Sequence, residues 1–288
     1  MDQKRLTFGI MLSNRGPVLG YSSPNELISM AVAADQSKVF DTVWSGDAFL
    51  ANPRLDSIAL LSAVAGQTKR VRLGPACMGS FTLRNALDLA YQWASLDQIS
   101  LGRSLMVACT GGGSKAVWDN EGLITGVNSK QRRQIMWERI QLFRRLWAED
   151  KVTFHGSYHG YTDVQVLPKP FQKRPPIWAA TNITRLASGT SAGRMPMKTL
   201  AQVGSVCDGW MTHSVNPQTF SQAWNHILKA ATDEGKSINT LDNALVVNIC
   251  VNDNPKQALA ESNSFFGKLL WNKVSDPTNQ RLDCLWVC

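Results

Sequence analysis

Short apolar runs rich in β-branched and small residues alternate along the chain with longer runs whose apolar positions recur every three or four residues. The short runs are Leu6–Leu12, Thr42–Ser45, Val71–Met78, Ser104–Cys109, Ile177–Ala180, Gly209–Thr212 and Ala244–Val251. The long ones are Asn25–Ser37, Asp56–Gln67, Ala86–Ile99, Gln131–Ala148, Pro196–Val206, Thr219–Glu234 and Pro255–Leu270. A strand followed by an amphipathic helix, repeated, predicts parallel strands joined by helical crossovers. Between the fourth and fifth strands, Val152–Phe154 and Tyr161–Val166 flank Gly156 and Gly160 and read as a hairpin inserted into that rhythm. Leu282–Val287 supplies a further strand. The pattern predicts an α/β fold, a (β/α)8 TIM barrel with an insertion between strands 4 and 5, forming one domain over residues 1–288. A doubly wound sheet requires a phosphate-binding GxGxxG after the first strand, and Gly9 through Gly20 does not supply it.

Composition narrows the function classes. Apolar residues make up 44% and charged residues 18% of 288, enough for a large core and unlike a disordered chain. Thirty Lys and Arg against 22 Asp and Glu give a net charge of +8. The basic residues occur as scattered doublets such as Lys69-Arg70, Arg132-Arg133 and Arg144-Arg145, without interleaved aromatics, so the surplus suits an anionic small ligand better than nucleic acid. No apolar run reaches the ~18 residues of a membrane span, and Gly9, Ser13 and Asn14 interrupt the first apolar run too early for a signal peptide. The expected setting is soluble and cytoplasmic. The six cysteines show no CxxC or metal-ligand spacing, and four lie in strand-like apolar surroundings, which predicts free core thiols in a reducing compartment. His155 and His159 are four apart but fall in the hairpin, so no metal is expected.

In a barrel the chemistry sits on the loops after the strands, which selects the candidates. Asp47 ends the second strand. Thr110 and Gly111 open a glycine-rich segment after the fourth, where exposed backbone N–H groups suit an anion or ring carbonyls. After the fifth strand, Asn182 and Arg194 bracket a Ser/Gly-rich loop ahead of a helix, a pattern suited to phosphate. His213 follows the sixth strand and is the one histidine placed for acid–base work. No Ser-His-Asp order or GxSxG elbow points to a hydrolase.

Six colinear segments carry a family pattern: Phe40–Asp47, Val71–Pro75, Leu96–Arg103 (LDQISLGR), Trp147 with Val152–Tyr158, Leu167–Trp178 and Cys207–Met211 (CDGWM). Together they resemble the bacterial luciferase-like flavin-dependent oxidoreductases. The resemblance implies a barrel that grips a flavin at its C-terminal mouth, with Met78 and Gly79 at a strand bulge against the ring and Tyr158 approaching from the insertion. It implies a flavin-dependent monooxygenase using reduced FMN and oxygen on a small organic substrate, with a separate flavin reductase as partner and a homodimeric assembly. The alternative within the family is a deazaflavin-dependent reductase or dehydrogenase transferring hydride. Ala48 stands where many members carry a histidine, and the likeness fades after about residue 265. Either Leu282–Val287 completes the barrel without an eighth helix, or the chain is a truncated, non-catalytic barrel.

Overall fold

The computed structural model describes residues 5–183, 195–213 and 215–270. Seven parallel strands, β1 (Gly9–Leu12), β2 (Thr42–Asp47), β3 (Arg72–Met78), β4 (Met106–Ala108), β7 (Ile177–Ala180), β8 (Gly209–His213) and β9 (Asp242–Val246), neighbour one another in chain order. A doubly wound sheet reverses its strand order at a switch point, and this one never does. After the single-turn helix α1 (Gly16–Leu19), the helices α2 (Pro24–Ser37), α3 (Ser57–Gln67), α4 (Ala86–Ile99), α6 (Arg132–Ala148), α7 (Met197–Val206) and α8 (Pro217–Asp233) cover the outer face of the sheet. The hairpin strands β5 (Val152–His155) and β6 (Gly160–Val164) pair antiparallel between α6 and β7.

The sheet is curled. In a flat sheet of ~4.8 Å spacing, β3 and β9 would stand about 19 Å apart. Instead Arg72 of β3 reaches Asp242 of β9 at 3.7 Å, and the rings of Trp44 on β2 and Trp178 on β7 lie 6.2 Å apart. Among the described residues the curl stops short of closure: β1 and β9 each pair on one side only. The segments before β1 and after β9 carry exposed apolar side chains, Leu6 and Phe8 on one side and Val247 and Ile249 on the other. Leu282–Val287, the expected eighth strand, lies outside the described residues.

Local sequence sets the helix starts. Ser23 and Glu26 form a reciprocal capping box with Pro24 in the first turn; Asp56, Asn85 and Asn216 cap α3, α4 and α8. The LDQISLGR segment acts as a fastener. Asp97, fully buried, accepts from Ser104 Oγ at 2.7 Å and from the Gln172 backbone N–H at 2.8 Å. Arg103 donates to the carbonyls of Ala65, Thr68 and Val71, each at 2.9 Å. Asp208 of the CDGWM segment binds Arg144, Arg174 and the Ile177 N–H.

Three expectations are corrected. β9 runs over Asp242–Val246 rather than Ala244–Val251, in register with Gly209–His213 of β8. The helix α5 (Lys115–Thr125) was not foreseen: it buries Glu121 and exposes Leu123 and Ile124, so it lacks an apolar stripe. Cys77 and Cys109 are not free core thiols; they are joined as a disulfide across the ends of β3 and β4, Cα atoms 6.1 Å apart.

Candidate functional site

Alternate residues of each strand face the inside of the curl. Near the strand starts that space is filled: Trp44, Trp178, Leu105, Val107 and Met211 pack together. Glycines 9, 74 and 209 make room for the two indoles, since a Cβ at any of them would collide with one of the rings. Toward the strand C-termini the inward residues become small. Gly46, Ala76, Cys77, Ala180, Ala244 and Val246 line this upper level, several only half-buried. The register between β2 and β3 shifts there, between Ser45 and Asp47, and the Ala76–Cys77 peptide is cis. The inside of the curl thus has a floor filled by indoles and, above it, a level of small residues.

Above the shelf the field is cationic. Asn14 follows β1, is buried, and donates to the carbonyls of Gly46 and Leu55, both at 2.8 Å, clamping the β2–α3 loop against β1. That loop delivers Arg54 onto Gly46, where a side chain of any size would displace its guanidinium. Burial, and then the neighbouring Arg15, lower the Arg54 pKa below the ordinary arginine value. Neither arginine forms an ion pair among the described residues, and Arg15 Nε is buried without a hydrogen-bond partner. The nearby Asp47 favours the Arg54 charge in part, so this end of the curl carries two neighbouring, half-buried arginines, one of them with an unsatisfied N–H. Arg15 and Arg54 were missed from sequence; the one available signal was their placement just after β1 and β2.

The residues chosen from sequence divide. Asp47 is spent on structure: Oδ1 accepts from the Ser80 N–H and Oδ2 from Ser57 Oγ, both at 2.7 Å, with Arg84 at 3.4 Å. Gly79 packs against the Asp47 carbonyl. Met78 turns outward into the helix-facing core, fully buried, so its backbone rather than its side chain borders the shelf. Thr110 and Gly111 follow β4, and Gly111 takes a φ of 82° with its α-carbon against the Gly79 carbonyl, a close approach that only glycine permits. Asn182 follows β7 and is exposed. His213 ends β8 with its side chain exposed, and desolvation by its neighbours lowers its pKa, which keeps the imidazole neutral at pH 7. Arg194 lies outside the described residues.

Beneath the Thr110–Gly111 turn runs an ion pair that sequence reading did not anticipate. Arg132 and Glu121, side chains 1% and 3% exposed, meet at 2.9 Å. Glu121 also accepts from the Leu50 N–H at 3.1 Å, while Arg132 donates to the carbonyls of Trp118 and Thr110 and stacks on the Trp118 ring. The pair ties the β2–α3 loop, the β4–α5 loop and α6 to one another.

Tyr158 lies instead at the tip of the β5–β6 hairpin, its N–H donating to Glu138 at 2.9 Å. Its neighbour His159 is buried, and desolvation together with the adjacent Arg139 pushes the imidazole pKa down to about 4. An unfolded histidine titrates near 6.5, so between about pH 6.5 and 4 the unfolded chain binds a proton that the folded chain refuses. Folded stability should therefore fall on acidification, by roughly 2 kcal/mol from pH 7 to pH 5 through this group. Urea titrations at the two pH values will show it as a difference that His159→Gln abolishes.

A parallel curled sheet with its small-residue, cationic shelf at the strand C-termini is the frame of a (β/α)-barrel enzyme. The model of the luciferase-like monooxygenase family matches residues 6–283. The chain belongs to this family and is by class an oxidoreductase. The F420-dependent glucose-6-phosphate dehydrogenase of Kineococcus radiotolerans is 26% identical over 264 residues, 87% of this chain and 73% of that enzyme. For that of Amycolatopsis mediterranei the figures are 30% over 165 residues, 54% of this chain and 48% of the enzyme, so the match spans about half its length. Among solved structures, an F420-dependent secondary alcohol dehydrogenase in complex with an F420-acetone adduct superposes with a TM-score of 0.73 at 22% identity, over 94% of this chain and 78% of that one. At that identity the likeness speaks for the fold. No described helix is long and apolar enough to cross a membrane.

Proposed function

We propose that the protein is a deazaflavin-dependent oxidoreductase that exchanges hydride between its coenzyme and a small hydroxyl-bearing substrate. The observation that carries the reading is the pair of neighbouring arginines, Arg15 and Arg54, which form no ion pair among the described residues, above the shelf of small residues. It fits a planar ring attached to an anionic chain. The choice of a deazaflavin over FMN is supported by relatives described as F420-dependent dehydrogenases. When bound, such a coenzyme supplies the two-electron chemistry.

The chain's own work is to bind, orient and exclude water. Arg15 and Arg54 hold the anionic chain, with Asn182 and Arg194 as further contacts. The Gly79 and Gly111 backbones, Thr110 and the Met78 peptide border the ring. Asp47 holds the β3–α4 loop in place rather than touching the coenzyme. His213, neutral at pH 7, accepts the substrate hydroxyl proton at an imidazole nitrogen. The finer architecture belongs to the same proposal: one barrel domain, closed between β9 and β1 by Leu282–Val287, whose remaining apolar edge pairs two copies into a dimer.

The second reading is a monooxygenase that takes reduced FMN from a separate reductase. It is favoured by the likeness in fold to type II Baeyer-Villiger monooxygenase bound to FMN, TM-score 0.69. Anaerobic titration with F420 and with FMN, followed by oxygen uptake with each reduced form, separates the two. F420 should bind at least tenfold tighter, Arg54→Gln should weaken it by about tenfold, and oxygen should not be consumed. Tighter FMN binding with oxygen uptake replaces the first reading by the second. Well-folded protein that binds neither is a non-catalytic barrel.

A further inference from the structure

A cavity of about 380 Å³ lies between the start of α4, the α5–α6 turn and the tip of the β5–β6 hairpin. Its wall contains Arg139, 3% exposed, which no carboxylate pairs with among the described residues. Arg139 Nη1 donates to the carbonyls of Phe81 and Arg84, Nε donates to His159 Nε2 at 3.3 Å, and its guanidinium carbon lies 5.8 Å from the Phe81 ring centre. No acceptor among the described residues meets Nη2. Of the nearby charges, Asp88 is exposed to solvent beside Tyr161, and the others are committed. Arg84 is neutralised by Asp47 and Asp56, and Glu138 accepts the N–H groups of Ser157, Tyr158 and His159. His159 is neutral, as argued above. What remains at the cavity is one largely buried positive charge whose Nη2 has no protein acceptor among the described residues, beside the side chains of Gln131, Asn128, Tyr158 and Tyr161.

We propose that this cavity binds a phosphate monoester of a compact body, its tetrahedral oxyanion seated on Arg139 Nη2. A guanidinium without a counter-ion in a low-dielectric wall is costly, and an arriving anion offsets that cost. Carboxylates are best held by the planar two-nitrogen edge of an arginine. Here that edge is spent on carbonyls and His159, leaving one nitrogen and donors from several directions, a geometry suited to a tetrahedral group. The volume exceeds what bare phosphate needs and falls in the range of small-molecule sites. His159 and Tyr161, stacked at 14° with ring centres 6.3 Å apart, offer a flat wall for the body. The proposal stands independently of the coenzyme reading, because the cavity and the shelf arginines share no residue.

The test is calorimetric titration of the full chain with phenyl phosphate, inorganic phosphate and benzoate at constant ionic strength. Phenyl phosphate should bind at least about tenfold tighter than benzoate. Arg139→Met should weaken it by about tenfold or more, Gln131→Ala and Tyr158→Phe by about two- to fivefold, and Arg54→Gln not at all. The Gln131 and Tyr158 variants remain informative if Arg139→Met fails to fold. No binding at millimolar ligand, equal binding of benzoate, unchanged affinity in the cavity variants, or loss confined to Arg54→Gln would each overturn the proposal.

Discussion

Replacing Glu121 by alanine is expected to destabilise the protein by about 3–5 kcal/mol, the cost of stranding a buried partner charge. Arg132 cannot turn to solvent: its guanidinium is held by the carbonyls of Trp118 and Thr110 and covered by the Trp118 ring. The loss should be visible in the midpoint of urea unfolding with the slope unchanged. The paired substitution Glu121→Leu with Arg132→Met removes both charges together and should cost less than Glu121→Ala alone. It should not be neutral, because the Leu50 N–H and the Trp118 carbonyl lose their partners. A change below about 1 kcal/mol for Glu121→Ala would mean that water reaches Arg132 and that the pair does not lock the loops. The same variant reports on function. Leu50 sits in the loop that carries Arg54, so the folded fraction should bind coenzyme more weakly than wild type.

The sequence pattern revealed the scaffold far better than the site, for a physical reason. Helix α4 and strand β7 fall where the pattern placed them, at Ala86–Ile99 and Ile177–Ala180, because burial against a sheet imposes an apolar period that reads directly. The segments that carry the family likeness turn out to be fasteners. Asp97 and Asp208 accept from backbone N–H groups and Arg103 donates to backbone carbonyls, tying strand starts to helix ends. Such residues hold a fold together without touching a ligand, which is why they identify the family and leave the substrate open. Asp47 shows the converse error. Its position after β2 pointed to a ligand, yet Ser57 and Ser80 consume its oxygens. Arg15, Arg54, Arg132 and Arg139 could not be ranked from sequence, since an arginine's role depends on which carbonyls and carboxylates the fold brings to it. Helix α5 was missed because its one buried residue is charged.

The filled floor of the curl yields the second large expectation, Gly209→Ala. A Cβ at position 209 would stand 2.6 Å from the Asp242 carbonyl oxygen and 2.6 Å from the Trp178 ring. Neither neighbour has room to retreat. The carbonyl belongs to the paired strand β9, and the indole is wedged against Trp44 with the Arg72 guanidinium 5.9 Å from its centre. Overpacking of this kind costs about 1–3 kcal/mol, and two rigid neighbours put this site at the upper end. Trimming the indole with Trp178→Leu relieves one clash and leaves the other, so the double variant should recover only part of the loss. Gly66 is the control. It lies in the last turn of α3 with nothing within 4 Å of a Cβ built on it, so Gly66→Ala should stabilise by up to about 1 kcal/mol. Opposite signs for one added methyl group, measured side by side by thermal unfolding, would locate the tight packing inside the curl. A tolerated Gly209→Ala would instead mean that β8 and β9 can part, and with them the shelf on which the proposed coenzyme rests.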